Sequence, residues 1–149
     1  MRYCFSAQKG GKIMKYPKSV IEMQNELGEP YEIKNIDGEP CLYRNFKNGF
    51  DLEISGVYSR RRKENRRIFI CLWWIGIRQN KTNSGAQIIM HVSQIPCNAK
   101  AIHTVTEMLY EYSNKLLTEG RCIDDSIKIS PGRIDYEELI SQGKFQEES

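Results

Sequence analysis

The sequence is short of the residues on which common chemistries depend. Its 149 residues include only two histidines, His91 and His103, so a nucleophile relayed through imidazole has to use one of them. Five cysteines, Cys4, Cys41, Cys71, Cys97 and Cys122, are odd in number, widely spaced and without a CxxC pair. Structural zinc sites carry close ligand pairs and small secreted domains carry paired cysteines; neither pattern is present. The longest apolar run, Ile68 to Ile77, has ten residues, against the ~20 that cross a bilayer. No apolar stretch in the first twenty residues has the form of a secretory signal. Reduced thiols, a cytoplasmic setting and no membrane partner are the expectations. Alanine and valine occur four times each against eighteen isoleucines. Isoleucine codons are A/T-rich and those of valine and alanine begin with G, which points to an A+T-rich bacterial or phage genome.

What is present suffices for a globular core. Apolar residues make up 40% and charged residues 28%, which argues against disorder. A chain of this length removes roughly 70% of its unfolded surface from water. Residues 1–15 read as a loose leader around the breaker Gly10-Gly11. Residues 16–143 read as a single domain, and residues 144–149 as a frayed end.

The periodicity sets out the elements. Lys18 to Leu27 reads as a helix with Val20, Met23 and Leu27 on one face. Ser19 and Glu22 stand at capping-box spacing, and Gly28 with Pro30 ends the helix. The period then switches to two. Tyr31 to Ile36 and Glu39 to Phe46 are strands around an Asp37-Gly38 turn, and Phe50 to Tyr58 follows the Asn48-Gly49 signal. A two-residue turn there places Arg44 opposite Glu53 as a cross-strand ion pair. Ile68 to Ile77 is apolar on both faces, so it is either covered on both sides or exposes aromatics on one. After a polar loop, Arg78 to Gly85, Ala86 to Ser93 is the fifth strand. Asn98 caps a long helix whose stripe is Ile102, Val105, Leu109, Tyr112 and Leu116. Asp135 caps a short helix near Tyr136 to Ser141. Ile123, Ile127, Ile129 and Ile134 suggest that the tail 121–143 packs back. The expected fold class is α+β: a five-stranded antiparallel meander, a short N-terminal helix and a long helix across one face, in two layers.

One charge feature stands out. The net charge is +3. The segment Arg60-Arg61-Arg62-Lys63-Glu64-Asn65-Arg66-Arg67 alone carries six positive charges and one negative, leaving −2 for the rest of the chain. Guanidinium forks suit phosphate oxygens, and such a hairpin tip is expected to contact a duplex backbone or a structured RNA without reading bases. Arg78 and Lys81 extend the patch. Trp73 and Trp74 are adjacent on a strand and so point to opposite faces. One enters the core and the other faces the second side, where it could stack on a base or anchor a partner; Trp73 is counted among the candidate binding residues, with the choice between the two left open. The expected partner is nucleic acid or a nucleic-acid-handling protein, with the oligomeric state open between monomer and dimer. The expected role is non-enzymatic binding, with no cofactor and no metal.

Other constellations are weaker. Asp51 and Glu53 share a strand face and offer paired carboxylates for a metal-dependent nuclease, but the acid-x-Lys triplet of restriction-type cores is missing there. Glu32-Ile33-Lys34 has the triplet without an upstream aspartate. His91-Val92-Ser93 is half of a two-histidine phosphoesterase pattern, and His103-Thr104-Val105-Thr106 has the wrong spacing to complete it. Gln8-Lys9-Gly10-Gly11-Lys12 lacks the residues of a phosphate loop. An oligomerisation module built on an exposed sheet edge is the third class. In general character the chain is similar to accessory proteins of mobile elements, a category that includes inhibitors of host CRISPR nucleases. The category has no common motif, and no residue is carried over from it.

Overall fold

A computed structural model describes residues 3–9, 12–76, 86–123, 126–127 and 130–145. In chain order the elements are β1 (Tyr3–Lys9), β2 (Lys12–Pro17), α1 (Lys18–Leu27), β3 (Glu32–Ile36), β4 (Glu39–Asn45), β5 (Phe50–Ser55), a 3-10 turn (Lys63–Asn65), β6 (Arg67–Trp74), β7 (Gln87–Pro96), α2 (Ala99–Thr118), β8 (Cys122–Ile123), β9 (Ser126–Ile127), β10 (Gly132–Asp135) and α3 (Tyr136–Gln142). The class is α+β. The main sheet has six strands in the order β10-β7-β6-β5-β4-β3. All neighbours are antiparallel except β10, which runs parallel to β7.

Alternation builds one buried face. Phe50, Leu52 and Ile54 on β5, and Ile68, Ile70, Leu72 and Trp74 on β6, are fully buried. They form a single cluster with Val20 and Met23 of α1, Ile102, Val105, Leu109 and Leu116 of α2, and Leu139 of α3. The three described helices therefore share one side of the sheet. Each buried aliphatic side chain favours this arrangement by about 1.5–3 kcal/mol over exposure. α2 starts where Asn98 accepts a hydrogen bond from the Ala101 amide at 2.8 Å. Its buried hydroxyls, Thr106 and Ser113, donate back to the carbonyls of Ile102 and Tyr110, so neither is left unpaired in the core. Among the described residues no helix is long and apolar enough to cross a membrane.

Five features differ from the sequence reading. Residues 3–9 and 12–17 pair as antiparallel strands, β1 and β2, outside the main sheet, where a loose leader was expected; neither segment alternates apolar and polar residues with a clean period of two. The sheet gains a sixth strand, β10, because four residues after Pro131 are too few to show a period. Helix α1 begins one residue before Ser19, so Pro17 is its N-cap and makes no side-chain cap bond; Lys18 pairs with Glu22 at 3.6 Å instead. Phe145 is buried against Tyr112, with ring centroids 5.1 Å apart, where fraying was expected. Finally, the β4–β5 connection is one residue longer than a two-residue turn. Phe46 N–H donates to Phe50 C=O at 3.1 Å, and Tyr43, not Arg44, lies opposite Glu53.

That one-residue difference sends Arg44 and Glu53 to opposite faces. Arg44 lies on the helix side, where it donates to Glu107 Oε1 at 3.0 Å and to Tyr31 Oη at 3.4 Å. Glu53 stays on the open side. The connection is held by α2: Asn48 donates to Ser113 Oγ at 2.9 Å and to Asn114 Oδ1 at 3.0 Å.

Candidate nucleic-acid interface

The basic segment joins β5 to β6. The chain leaves β5 at Gly56, whose φ is +95°. A Cβ there would stand 2.7 Å from the Arg67 carbonyl oxygen, so this turn requires glycine. Beyond it the cations divide into two groups. Arg66 braces the loop from within: its Nε donates to the Arg61 carbonyl at 2.8 Å and its Nη1 to the Val57 carbonyl at 3.5 Å. Arg67 Nη1 donates to the carbonyls of Arg66 and Glu64 at 3.0 and 3.2 Å. Lys63 turns toward α1 and pairs with Glu26 at 3.8 Å. Arg60, Arg61 and Arg62 are exposed. The Arg62–Glu64 contact, 4.0 Å between side chains 84% and 68% exposed, is too solvated to hold Arg62.

Arg61, Arg62, Asn65 and Arg67 line one open depression. Three guanidinium groups and an amide bring many N–H donors to a concave surface. No carboxylate lines it, so its lining carries net positive charge. Arg78 and Lys81 lie outside the described residues, as do Gly10 and Gly11.

The other face of the sheet carries the remaining candidates. Trp73 lies on it and Trp74 in the core, as the alternation of β6 requires. Trp73 is not beside the basic loop. It is six residues from Arg67 along β6, about 20 Å at ~3.3 Å per residue, and its Nε1 donates to Glu53 Oε2 at 3.1 Å. The aromatic next to the loop is Phe69, two residues from Arg67 on the same face and 40% exposed. Sequence reasoning passed over it in favour of the tryptophans. Its distance from the arginine run was the available signal.

The carboxylates are held by neutral donors. Asp51 accepts from Tyr43 Oη at 2.8 Å. Burial pushes the Asp51 carboxyl above its ordinary range, opposed by the tyrosine hydrogen bond and by Lys34. Burial also raises Glu53, against the Trp73 hydrogen bond and with the help of nearby acidic groups. Among the described residues no group of three His, Cys, Asp or Glu side chains is placed to hold a metal ion. Cys71 and His91 are cross-strand partners, but burial and Glu53 push the thiol up to about 11. Burial and Arg133 push the His91 imidazole down. Both shifts favour the neutral pair, opposite to an activated thiolate and imidazolium. His103, on α2, shares a hydrogen bond of 3.2 Å with Tyr31 Oη. The two histidines are therefore on opposite sides of the sheet and form no joint site.

Compared with protein-family models, with curated proteins and with solved structures, the chain matches none.

Proposed function

We propose that the protein binds nucleic acid without turning it over, through phosphate contacts made by the Arg60–Arg67 loop. The observation that carries this reading is the depression lined by Arg61, Arg62, Asn65 and Arg67. It is kept in shape by Arg66, whose donors are engaged on backbone carbonyls. The loop thus uses part of its charge to rigidify the rest. A purely solvating loop has no need of that division, whereas a phosphate site benefits from donors positioned in advance. Contacts of this kind are sequence-independent and steer association electrostatically. In an accessory protein of a mobile element, such a surface would act by stoichiometric occupancy of a nucleic acid or of the enzyme that handles it.

The test is an anisotropy titration with labelled nucleic acid at about 50 and about 200 mM salt, beside an Arg60→Ala/Arg61→Ala/Arg62→Ala variant. Affinity is expected to fall with salt. The triple variant is expected to lower the steepness of that fall by about 2–3 in logarithmic slope, three contacts at roughly 0.7–0.9 each. Arg66 is left in place so that the loop keeps its form. Salt-independent binding, or a slope equal in both proteins, overturns the reading.

A further inference from the structure

Among the described residues, large apolar side chains are exposed at only two positions, Phe69 and Ile140. Phe69 is the one beside the basic loop. Arg67 and Phe69 share the open face of β6, about 6.6 Å apart along the strand. The Phe69 ring leans on His91 of β7, with centroids 5.7 Å apart and planes 36° from each other. Arg133 of β10 pairs with His91 in the parallel ladder and is exposed. A cationic depression, an aromatic in tilted contact with an imidazole, and a second exposed guanidinium thus follow one another across β6, β7 and β10.

We infer that the ligand of this surface is single-stranded nucleic acid. A backbone phosphate sits in the Arg61–Arg62–Asn65–Arg67 depression, and an unstacked base lies on Phe69. This rests on the nucleic-acid reading above and narrows it. In a duplex the base faces are closed by their own stacking, and an aromatic on a sheet cannot reach them. In a single strand every base offers a π-face to such a platform, independent of sequence. The opposite half of the open face sets the limit of the path. Asp51 and Glu53 on β5, with Glu39 at the start of β4, outweigh the Lys34 ammonium over the Tyr43 ring and disfavour phosphate there. The strand is directed along β6, β7 and β10, where Arg67 and Arg133 neutralise it. Arg133 is about 13 Å along and about 10 Å across from Arg67, near enough for one short strand to touch both.

The experiment compares labelled oligothymidylate with a duplex of equal nucleotide number, using wild type, Phe69→Ala, Phe69→Tyr and Arg61→Ala/Arg62→Ala. Circular dichroism confirms that each protein is folded. Wild type is expected to bind the single strand more tightly than the duplex. Phe69→Ala is expected to weaken single-strand binding fivefold or more, the loss of one stacked base, with an unchanged salt slope because no charge is removed. Phe69→Tyr is expected to restore it. The arginine variant is expected to lower the slope instead. Wild-type affinity in Phe69→Ala, no rescue by tyrosine, or equal binding of duplex and single strand overturns the single-strand inference while the arginine result keeps the nucleic-acid reading. Binding of neither form by wild type overturns both and leaves the arginines to a protein partner or to solvent.

Discussion

Gly49→Ala tests the contact that sets the register of the sheet. Gly49 has φ +99°, and an added Cβ would stand 2.4 Å from Trp74 Cζ3 and 2.8 Å from Cη2. Ordinary carbon contacts are ~3.5–4.0 Å, so the ring has to move by about 1 Å. It is fully buried and packed edge-on against Phe50 with centroids 4.9 Å apart, so it has nowhere to go. Left-handed backbone costs an alanine about 1–2 kcal/mol, and overpacking a closed core costs about 1–3 kcal/mol. The expected destabilisation is about 2–5 kcal/mol. Gly38→Ala supplies the control: φ is +81° and nothing lies within 4 Å of its Cβ, so only the backbone cost applies. Equilibrium urea denaturation followed by circular dichroism reads both. With a slope of about 1–3 kcal/mol per molar urea, the overpacking cost of about 1–3 kcal/mol is expected to lower the Gly49 midpoint by about 0.3–3 M beyond that of Gly38→Ala. The clashing atoms belong to the six-membered ring of the indole. In a Trp74→Phe background the extra cost is therefore expected to shrink, so that the double variant loses less than the sum of the two single variants. Equal losses for Gly49→Ala and Gly38→Ala, or no coupling to Trp74, refute this account of the β4–β5 connection.

Two further substitutions test the two faces separately. Arg44 has a side chain 15% exposed, bonded to Glu107 and Tyr31 and stacked 5.3 Å from the rings of Tyr31 and Phe46. Arg44→Ala is expected to cost about 2–3 kcal/mol in urea denaturation. Glu107→Ala, at the more exposed end of the pair, is expected to cost under ~1 kcal/mol; equal costs would show that charge rather than packing dominates. On the open face, burial raises Asp51 above its ordinary range. A carboxyl raised by folding contributes stability below its unfolded pKa and loses it as pH rises through the folded pKa. Asp51→Asn keeps an acceptor for Tyr43, so it is expected to be more stable than wild type near pH 7 and to lose that advantage on acidification below the ordinary carboxylate range. Urea midpoints at the two pH values check the sign.

The elements with long, clean periods were legible and the short ones were not. The stripe of α2 and its Asn98 cap follow from helical spacing over twenty residues, and the buried sets of β5 and β6 follow from strict alternation. The opposite orientations of Trp73 and Trp74 needed only the period of a strand. Strand β10 has four residues, and its pairing with β7 depends on a crossover through α2 that no local pattern reports. The β1–β2 pair bonds only with itself, and neither segment alternates apolar and polar residues cleanly enough to announce a strand.

The candidate site was legible as charge and illegible as geometry. Counting arginines finds the segment 60–67, but it treats six cations as equivalent. The structure separates them: Arg66 is engaged on two carbonyls and Lys63 on Glu26, while Arg60, Arg61 and Arg62 face solvent. Those internal bonds depend on how the loop folds back on itself, which composition does not encode. The register of β4 on β5 matters in the same way. A two-residue turn would have put Arg44 and Glu53 on one face, where they would cancel. The three-residue connection through Gly49 puts Arg44 among the helices and leaves Glu53 and Asp51 facing outward. The open face is then acidic on β5 and cationic around Arg67 and Arg133. The proposed single-strand path keeps to the cationic part of this face, where Phe69 stands. A single residue in a loop far from the arginines thus fixes which charged side chains share the open face.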